Sequence, residues 1–242
     1  DTNLLYCENG WYNTRTDIAQ FNKDAYYMNK VQKLSGDSLY YDRNRGIGKA
    51  FSNVMLIDTI ENIILKGNLG IYYENPERSL ITDKALFIHY TKEDTLFLHA
   101  DTLRSQYDTS GVYRRLNAFY KVKMYREDFQ AKCDSLIYSL EDSVIKFYHN
   151  PILWAQENQI TSDVIYAHTK NNKLDNFELL KKSFVISEED VEKYNQIKGE
   201  NMFGYIRKNE LYKIEVRKKG ETLYFAKDED GIIGVNKATC DD

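Results

Sequence analysis

One unit recurs along this chain: a small or polar residue, an aspartate, any residue, then an apolar residue, often with an aromatic two places later. It occurs as Gly36-Asp37-Ser38-Leu39-Tyr40-Tyr41, Thr82-Asp83-Lys84-Ala85-Leu86-Phe87 and Ala100-Asp101-Thr102-Leu103. It returns as Cys133-Asp134-Ser135-Leu136-Ile137-Tyr138 and Ser162-Asp163-Val164-Ile165-Tyr166, with a weaker copy at Asp24-Ala25-Tyr26. An aspartate at a strand start can accept a backbone N–H of the turn. The alternating residues behind it, such as Leu39 and Tyr41 or Leu136 and Tyr138, then share one face. The repeat therefore forces a core made of many short strands with stacked apolar faces. The aspartate-to-aspartate steps of 46, 18, 33 and 29 are irregular, which favours a roll with variable turns over a strict solenoid.

Short β segments fill the rest of the chain, among them residues 54–57, 62–66, 70–73, 95–99, 118–125, 144–147, 176–180, 210–216 and 222–226. Turn chemistry separates them at Arg43-Asn44-Arg45-Gly46, Glu74-Asn75-Pro76-Glu77, Lys92-Glu93-Asp94, Asp108-Thr109-Ser110-Gly111, Asn171-Asn172 and Asp228-Glu229-Asp230-Gly231. One stretch breaks the pattern. Ser187-Glu188-Glu189-Asp190 offers a serine N-cap and acidic residues for a first turn, so a short helix is expected near 187–196, ended by Gly199. The 242 residues hold only two prolines and twelve glycines, and twenty tyrosines suit strands with one apolar and one wet face. The expectation is an all-β protein, one domain over 1–242, with a single short helix.

The residues point away from several function classes. The net charge is −4 and basic residues are dispersed, so nothing tracks a phosphate backbone and no nucleic-acid partner is expected. Arg217-Lys218-Lys219, just before Gly220, reads as a solvated hairpin tip. Cys7, Cys133 and Cys240 form no CxxC pair and read as unpaired, although a Cys7–Cys240 bridge stays open. His89, His99, His149 and His168 form no HxH or HExxH pattern, so no metal site is expected. GxSxG, GxGxxG and P-loop motifs are absent, and no catalytic residue or cofactor is expected. Aspartates repeated at strand starts are better explained by turn chemistry than as a glycosidase pair. Trp11 and Trp154 read as core fillers or as caps on the end of a β-roll. No apolar run is long enough to span a membrane as a helix. The chain opens at Asp1 in a segment that already reads as structure, and is taken as a mature or trimmed fragment of a longer protein.

The repeated Asp-x-Leu-x-Tyr segments resemble the OstA-like family, the LptA-type β-jellyroll proteins of lipopolysaccharide transport. Residues 36–48, from Gly36-Asp37 through Arg43-Asn44-Arg45-Gly46 to Gly48, match the family's alternation of strand, charged turn, glycine and next strand. Asn53-Val54, Gly67-Asn68 and Thr82-Asp83-Lys84-Ala85 continue that register. Residues 154–163 and 196–202 look like the long OstA-like proteins of Bacteroides-type bacteria. The resemblance implies an elongated, twisted, open taco-like roll of antiparallel strands in the periplasm of a Gram-negative cell. It implies no enzyme activity, an interior that holds acyl chains of lipopolysaccharide or lipid A, and delivery towards the outer membrane. It also implies end-to-end strand pairing with other transport proteins or with further copies.

On that basis the lipid-facing inner set is expected to be Leu39, Tyr41, Phe87, Leu103, Leu136, Tyr138 and Ile165. A closed, dry core needs the same alternation. The other role for such a roll is a scaffold that joins neighbours through its edge strands. A conduit needs an interior apolar to both ends, whereas a scaffold can be plugged by bulky or polar residues.

Overall fold

The computed structural model describes residues 3–92, 94–107, 111, 114–139, 141–170, 173–229 and 231–241. The turns expected at Asp108-Thr109-Ser110 and Asn171-Asn172, and Glu93 and Asp230 of two others, lie outside the described residues. The chain is all-β and antiparallel, and among the described residues it contains no helix. It divides into two compact units, 1–126 and 127–242.

The first unit comprises β1 (Leu4–Tyr6), β2 (Asn9–Asn13), β3 (Ile18–Met28), β4 (Gln32–Asp42), β5 (Ile47–Asp58), β6 (Ile63–Glu74), β7 (Glu77–Tyr90), β8 (Thr95–Tyr107) and β9 (Arg114–Tyr125). The strands from β3 onward run 11 to 14 residues, so segments such as 62–66 and 70–73 are two parts of one strand. Each long strand pairs with the next and changes register once, midway, as at Asn22/Ala25, Ser35/Ser38 and Phe51/Val54. There it turns a corner and passes from limb A (9–13, 18–22, 38–42, 47–51, 69–74, 77–82, 102–107, 114–119) to limb B (4–6, 25–28, 32–35, 54–58, 63–67, 85–90, 95–100, 122–125), or back.

The corners come in two alternating kinds. On β3, β5, β7 and β9 both residues are left-handed: Lys23-Asp24 (φ 59 and 52), Ser52-Asn53 (54, 52), Asp83-Lys84 (59, 61) and Tyr120-Lys121 (63, 52). On the strands between them the corner is a small residue followed by an acid or amide: Cys7-Glu8 between β1 and β2, Gly36-Asp37, Gly67-Asn68 and Ala100-Asp101. The small residue lies against the neighbouring strand. A Cβ on Gly36 would stand 3.2 Å from the Phe51 carbonyl, and one on Gly67 would stand 3.0 Å from the Thr82 carbonyl and 2.7 Å from Ile81 Cγ1. The polar partner reaches across to the left-handed pair. Glu8 meets Lys23 at 3.4 Å, Asn53 donates to Asp37 at 3.0 Å, Asn68 donates to Asp83 at 3.0 Å, and Asp101 meets Lys121 at 3.2 Å.

The second unit repeats the device. Its strands are β10 (Gln130–Ser139), β11 (Val144–Tyr148), β12 (Ile152–Ala155), β13 (Asn158–Thr161), β14 (Val164–Lys170), β15 (Lys173–Asp190), β16 (Lys193–Arg207), β17 (Glu210–Arg217), β18 (Gly220–Asp228) and β19 (Gly231–Cys240). Cys133-Asp134, Ser162-Asp163 and Gly199-Glu200 are the small–acidic corners. His149-Asn150 (φ 62, 55), Lys181-Lys182 (65, 49) and Lys218-Lys219 (64, 52) are the left-handed ones. The N–H of Asp163 donates to the Lys181 carbonyl at 3.0 Å and that of Glu200 to the Lys218 carbonyl at 2.9 Å, while Asp163 meets Lys182 at 3.4 Å. Limb C holds β11, β14 and β17 with 135–139, 173–180 and 201–207; limb D holds β12, β13, β18 and β19 with 130–132, 183–190 and 193–199.

Four expectations are corrected by these corners. The repeated aspartates sit in the middle of long strands, not at strand starts. Asp83 belongs to the left-handed set, which Asp and Asn tolerate better than most residues. With Asp83 removed and Glu8, Asn68 and Glu200 restored, the small–acidic corners at 8, 37, 68, 101, 134, 163 and 200 are 29, 31, 33, 33, 29 and 37 residues apart, a far steadier repeat. Arg217-Lys218-Lys219 is a corner between β17 and β18, not a hairpin tip. Finally, Ser187–Asp190 ends strand β15 and pairs with β13 and β16, so the expected helix is a hairpin turning at Val191-Glu192. Glu192 takes φ 60, the Asp190 carboxylate accepts the Val191 N–H at 2.8 Å, and Glu189 pairs with Lys227 of β18 at 2.8 Å. The acidic run is satisfied across strands, and its capping signature served a turn equally well.

The corner packing predicts a contrast between two glycines. Gly67→Val should destabilise the fold by about 1–3 kcal/mol in urea unfolding, because its side chain meets backbone and Ile81. Gly234→Val, with nothing within 4 Å of its built Cβ, should change stability by less than about 0.5 kcal/mol.

Candidate functional site

Each unit encloses an apolar interior between its limbs, and the two interiors are filled differently. Registers in the first unit align a row on limb B: Tyr27, Leu34, Leu56, Leu65, Phe87, Leu98 and Met124. Phe87, Leu98 and Met124 are buried, at 7%, 0% and 3% exposure, whereas Tyr27, Leu34, Leu56 and Leu65 are only half-buried. Limb A sets small residues in its inward rows over the same strands: Ala19, Gly48, Ala50 and Gly70. Over β3–β6 the same limb A rows also carry Phe21, Leu39, Tyr41 and Tyr72, so small residues alternate with large ones while the limb B row stays half-buried. Tyr41 is half-buried and donates its hydroxyl to Glu74 at 2.6 Å, and that carboxylate holds the phenol proton above its usual range.

In the second unit one inward row on limb C is Leu136, Phe147, Ile165, Leu179 and Met202, none more than 2% exposed. The next row runs Tyr138, Ile145, Ala167, Phe177 and Gly204. A Cβ on Gly204 would stand 2.0 Å from Phe177 Cζ, so the phenyl ring occupies the space a side chain would need. Leu153, Ile160 and Val185 close the interior from limb D. This is a dry, close-packed core. A cleft beside the β15–β16 hairpin, edged by Gln156, Glu157, Glu188 and Glu210, is polar and offers little to an acyl chain.

Of the seven residues singled out from the sequence, all stand in inward rows. Leu39, Phe87, Leu103, Leu136 and Ile165 are buried; Tyr41 and Tyr138 are half-buried. The structure brings together Leu39, Tyr41, Phe87 and Leu103 in the first unit and Leu136, Tyr138 and Ile165 in the second. Six of the seven lie on limbs A and C. Within each unit the small–acidic strands run in one direction, so a motif read forward from its aspartate enters limb A in the first unit and limb C in the second; Phe87 escaped because Asp83 is on an oppositely directed strand of the first unit. Leu34 and Leu65, which precede their corners, and Leu56, which follows the left-handed pair Ser52-Asn53, were missed. The signal was the same alternation, read backwards for Leu34 and Leu65.

The remaining candidates carry no reaction chemistry together. Cys7, Cys133 and Cys240 form no disulfide, and each is the small residue before an acidic one. Burial pushes the Cys133 thiol up to about 12. His168 pairs with Glu178 at 2.9 Å, and burial lowers the pKa of His89. Among the described residues no group of three His, Cys, Asp or Glu side chains stands ready for a metal ion. No helix is long and apolar enough to cross a membrane. Trp154 is half-buried and donates to Gln159 at 3.0 Å, but Trp11 lies 53% exposed on β2 and fills no core.

Comparison with known proteins adds little. No family model matches the chain, and no curated protein matches it. The chain is similar to the crystal structure of LptH from Pseudomonas aeruginosa, described as the LptA-homologous periplasmic component of the conserved lipopolysaccharide transport device. The two share 9% identity with a TM-score of 0.28, over 61% of this chain and 82% of that one. A TM-score of that size carries no argument about this chain.

Cys133 gives a direct check on the filled core. A disulfide reagent at pH 8 should label exposed Cys240 promptly and Cys133 only on unfolding. The raised thiol pKa also has a sign. Its contribution to stability is complete below the unfolded value near 9 and is lost as pH rises towards 12. Cys133→Ala should flatten that alkaline loss in pH-dependent melts.

Proposed function

We propose that this chain is a non-catalytic periplasmic carrier that shelters the acyl chains of lipopolysaccharide or lipid A and passes the lipid towards the outer membrane. The observation that carries the reading is the half-buried apolar row on limb B over β3–β6. An acyl chain laid along Tyr27, Leu34, Leu56 and Leu65, with Leu39, Tyr41 and Phe87 beside it, would remove that exposed apolar surface from water. Leu103, Leu136, Tyr138 and Ile165 continue the inward rows in the more closely filled parts of the two units. The resemblance of the repeated Asp-x-Leu-x-Tyr segments to the OstA-like family supports the same ligand class.

The edges supply the means of joining neighbours. Among the described residues the registers pair β1 and β2 with β3, and both strands expose apolar side chains at Leu4, Leu5, Tyr6, Trp11 and Tyr12. Among the described residues β19 pairs with β18 alone and leaves Ile233 and Val235 exposed at 66% and 56%. Edges with unpaired N–H and C=O groups and apolar side chains invite strand addition, by other transport proteins or by another copy. The plugged interior of the second unit favours the scaffold role for that part of the chain, because Phe147 and Phe177 leave no room for a lipid.

Photo-crosslinking in cells tests the proposal. A benzophenone probe at Leu56 or Leu65 should crosslink to lipopolysaccharide, and one at outward Lys84 should not. Crosslinks to protein only, or equal labelling at all three positions, would remove the carrier reading and leave the scaffold.

A further inference from the structure

Limb B of the first unit is apolar on its outward side as well. Between the inward rows, registers align Ile57, Ile64, Ile88, Phe97 and Tyr125 across five strands on the opposite face. Phe97 and Tyr125 are 39% and 52% exposed with their rings 6.3 Å apart, and the three isoleucines are half-buried. The neighbouring outward row carries Met55, Lys66, Leu86, His99 and Lys123. Alternation for a two-layered fold calls for a polar row here, so this face departs from the pattern over the whole width of the limb.

The charge on the face is equally one-sided. The outward positions of limb B, from Tyr26 on β3 to Tyr125 on β9, include three lysines and no aspartate or glutamate, in a chain with 37 acidic residues and net charge −4. Lys33 lies over the Tyr26 ring at 4.7 Å, while Lys66 and Lys123 are exposed and held in no ion pair with the described residues. Ile60, 65% exposed in the β5–β6 turn, lies at the end of this surface beside exposed Glu61, where the acid-free stretch stops.

We infer that the outward face of limb B docks on an anionic lipid bilayer. Charge selects the occupant. A second copy stacked on the same face would set Lys33, Lys66 and Lys123 against their own equivalents. An anionic headgroup layer accepts all three ammonium groups, while Phe97, Tyr125 and the isoleucines enter the headgroup–acyl boundary, where aromatic side chains with a polar tip are at home. Lysine stems lying along the apolar row keep their charges at headgroup level. This surface is the opposite side of the sheet from the proposed acyl-chain site.

Vesicle flotation with the full chain tests the inference, and vesicles without lipopolysaccharide make the result independent of the carrier reading. The chain should float with vesicles of phosphatidylcholine and phosphatidylglycerol in a seven-to-three ratio and stay behind with pure phosphatidylcholine. Phe97→Ser, and separately the triple change Lys33→Glu, Lys66→Glu and Lys123→Glu, should each lower the bound fraction more than about tenfold. Arg104→Glu, on the outward face of limb A, should leave it unchanged. Circular dichroism melts confirm that each variant is folded. Failure of the parent chain to bind anionic vesicles, or binding unaffected by either variant, would overturn the inference. So would a dimer in sedimentation equilibrium that Phe97→Ser dissolves, because the face would then belong to a second copy.

Discussion

The close approach of a small residue to its neighbour's backbone, at the point where that neighbour turns left-handed, is the contact on which the rest of this structure depends. Without it a strand of 11 to 18 residues would run straight, and its alternating apolar side chains would face water. With it each strand bends once, and the two halves turn their apolar faces towards one another. The cross-strand pairs at the corners, such as Asp101 with Lys121 and Asp163 with Lys182, are exposed, and exposed ion pairs add little stability. Their effect is to fix register: an acid placed one residue away would meet no lysine. Stability comes from the enclosed rows, where Leu98, Leu136, Phe147 and Ile165 are fully removed from water.

The same corner explains what the amino-acid order revealed and what it concealed. Small–acidic pairs are conspicuous, and reading the alternation behind them placed Leu39, Leu103, Leu136 and Ile165 in the core correctly. Left-handed pairs are not conspicuous. Lys181-Lys182, Lys218-Lys219 and Tyr120-Lys121 contain no glycine and no turn-forming residue, and backbone position alone sets their conformation. A strand therefore reads straight through such a pair, as 118–125 does through Tyr120-Lys121, whereas β6 reads as two short strands because Gly67-Asn68 looks like a turn. The hairpin at Val191-Glu192 failed for a related reason. Serine and acidic residues satisfy free backbone N–H groups at helix starts and at tight turns alike, and only the strands on either side, invisible locally, decide between the two.

Burial of the inward rows differs between the two units. Where phenylalanines lie in the inward rows, as Phe147 and Phe177 do, the interior closes. In the first unit Tyr27, Leu34, Leu56 and Leu65 stay half-buried in their inward row, and apolar groups remain partly wet. On the proposed carrier reading the first unit is the receptive module and the second the rigid one. Lipid carriage needs both: a surface that gains by covering its apolar row, and a frame stiff enough not to collapse on itself when the ligand leaves.

The receptive interior is tested most directly by a spin label. With the three native cysteines replaced by alanine, a nitroxide would be placed at Leu65 on limb B and, in a second variant, at Tyr224 on the exposed strand β18. Titration with lipopolysaccharide should broaden and immobilise the Leu65 spectrum in saturable fashion and leave the Tyr224 spectrum as it was. A Leu65 label that stays unchanged at saturating lipopolysaccharide, in a folded chain, would show that the row takes no acyl chain and would contradict the account.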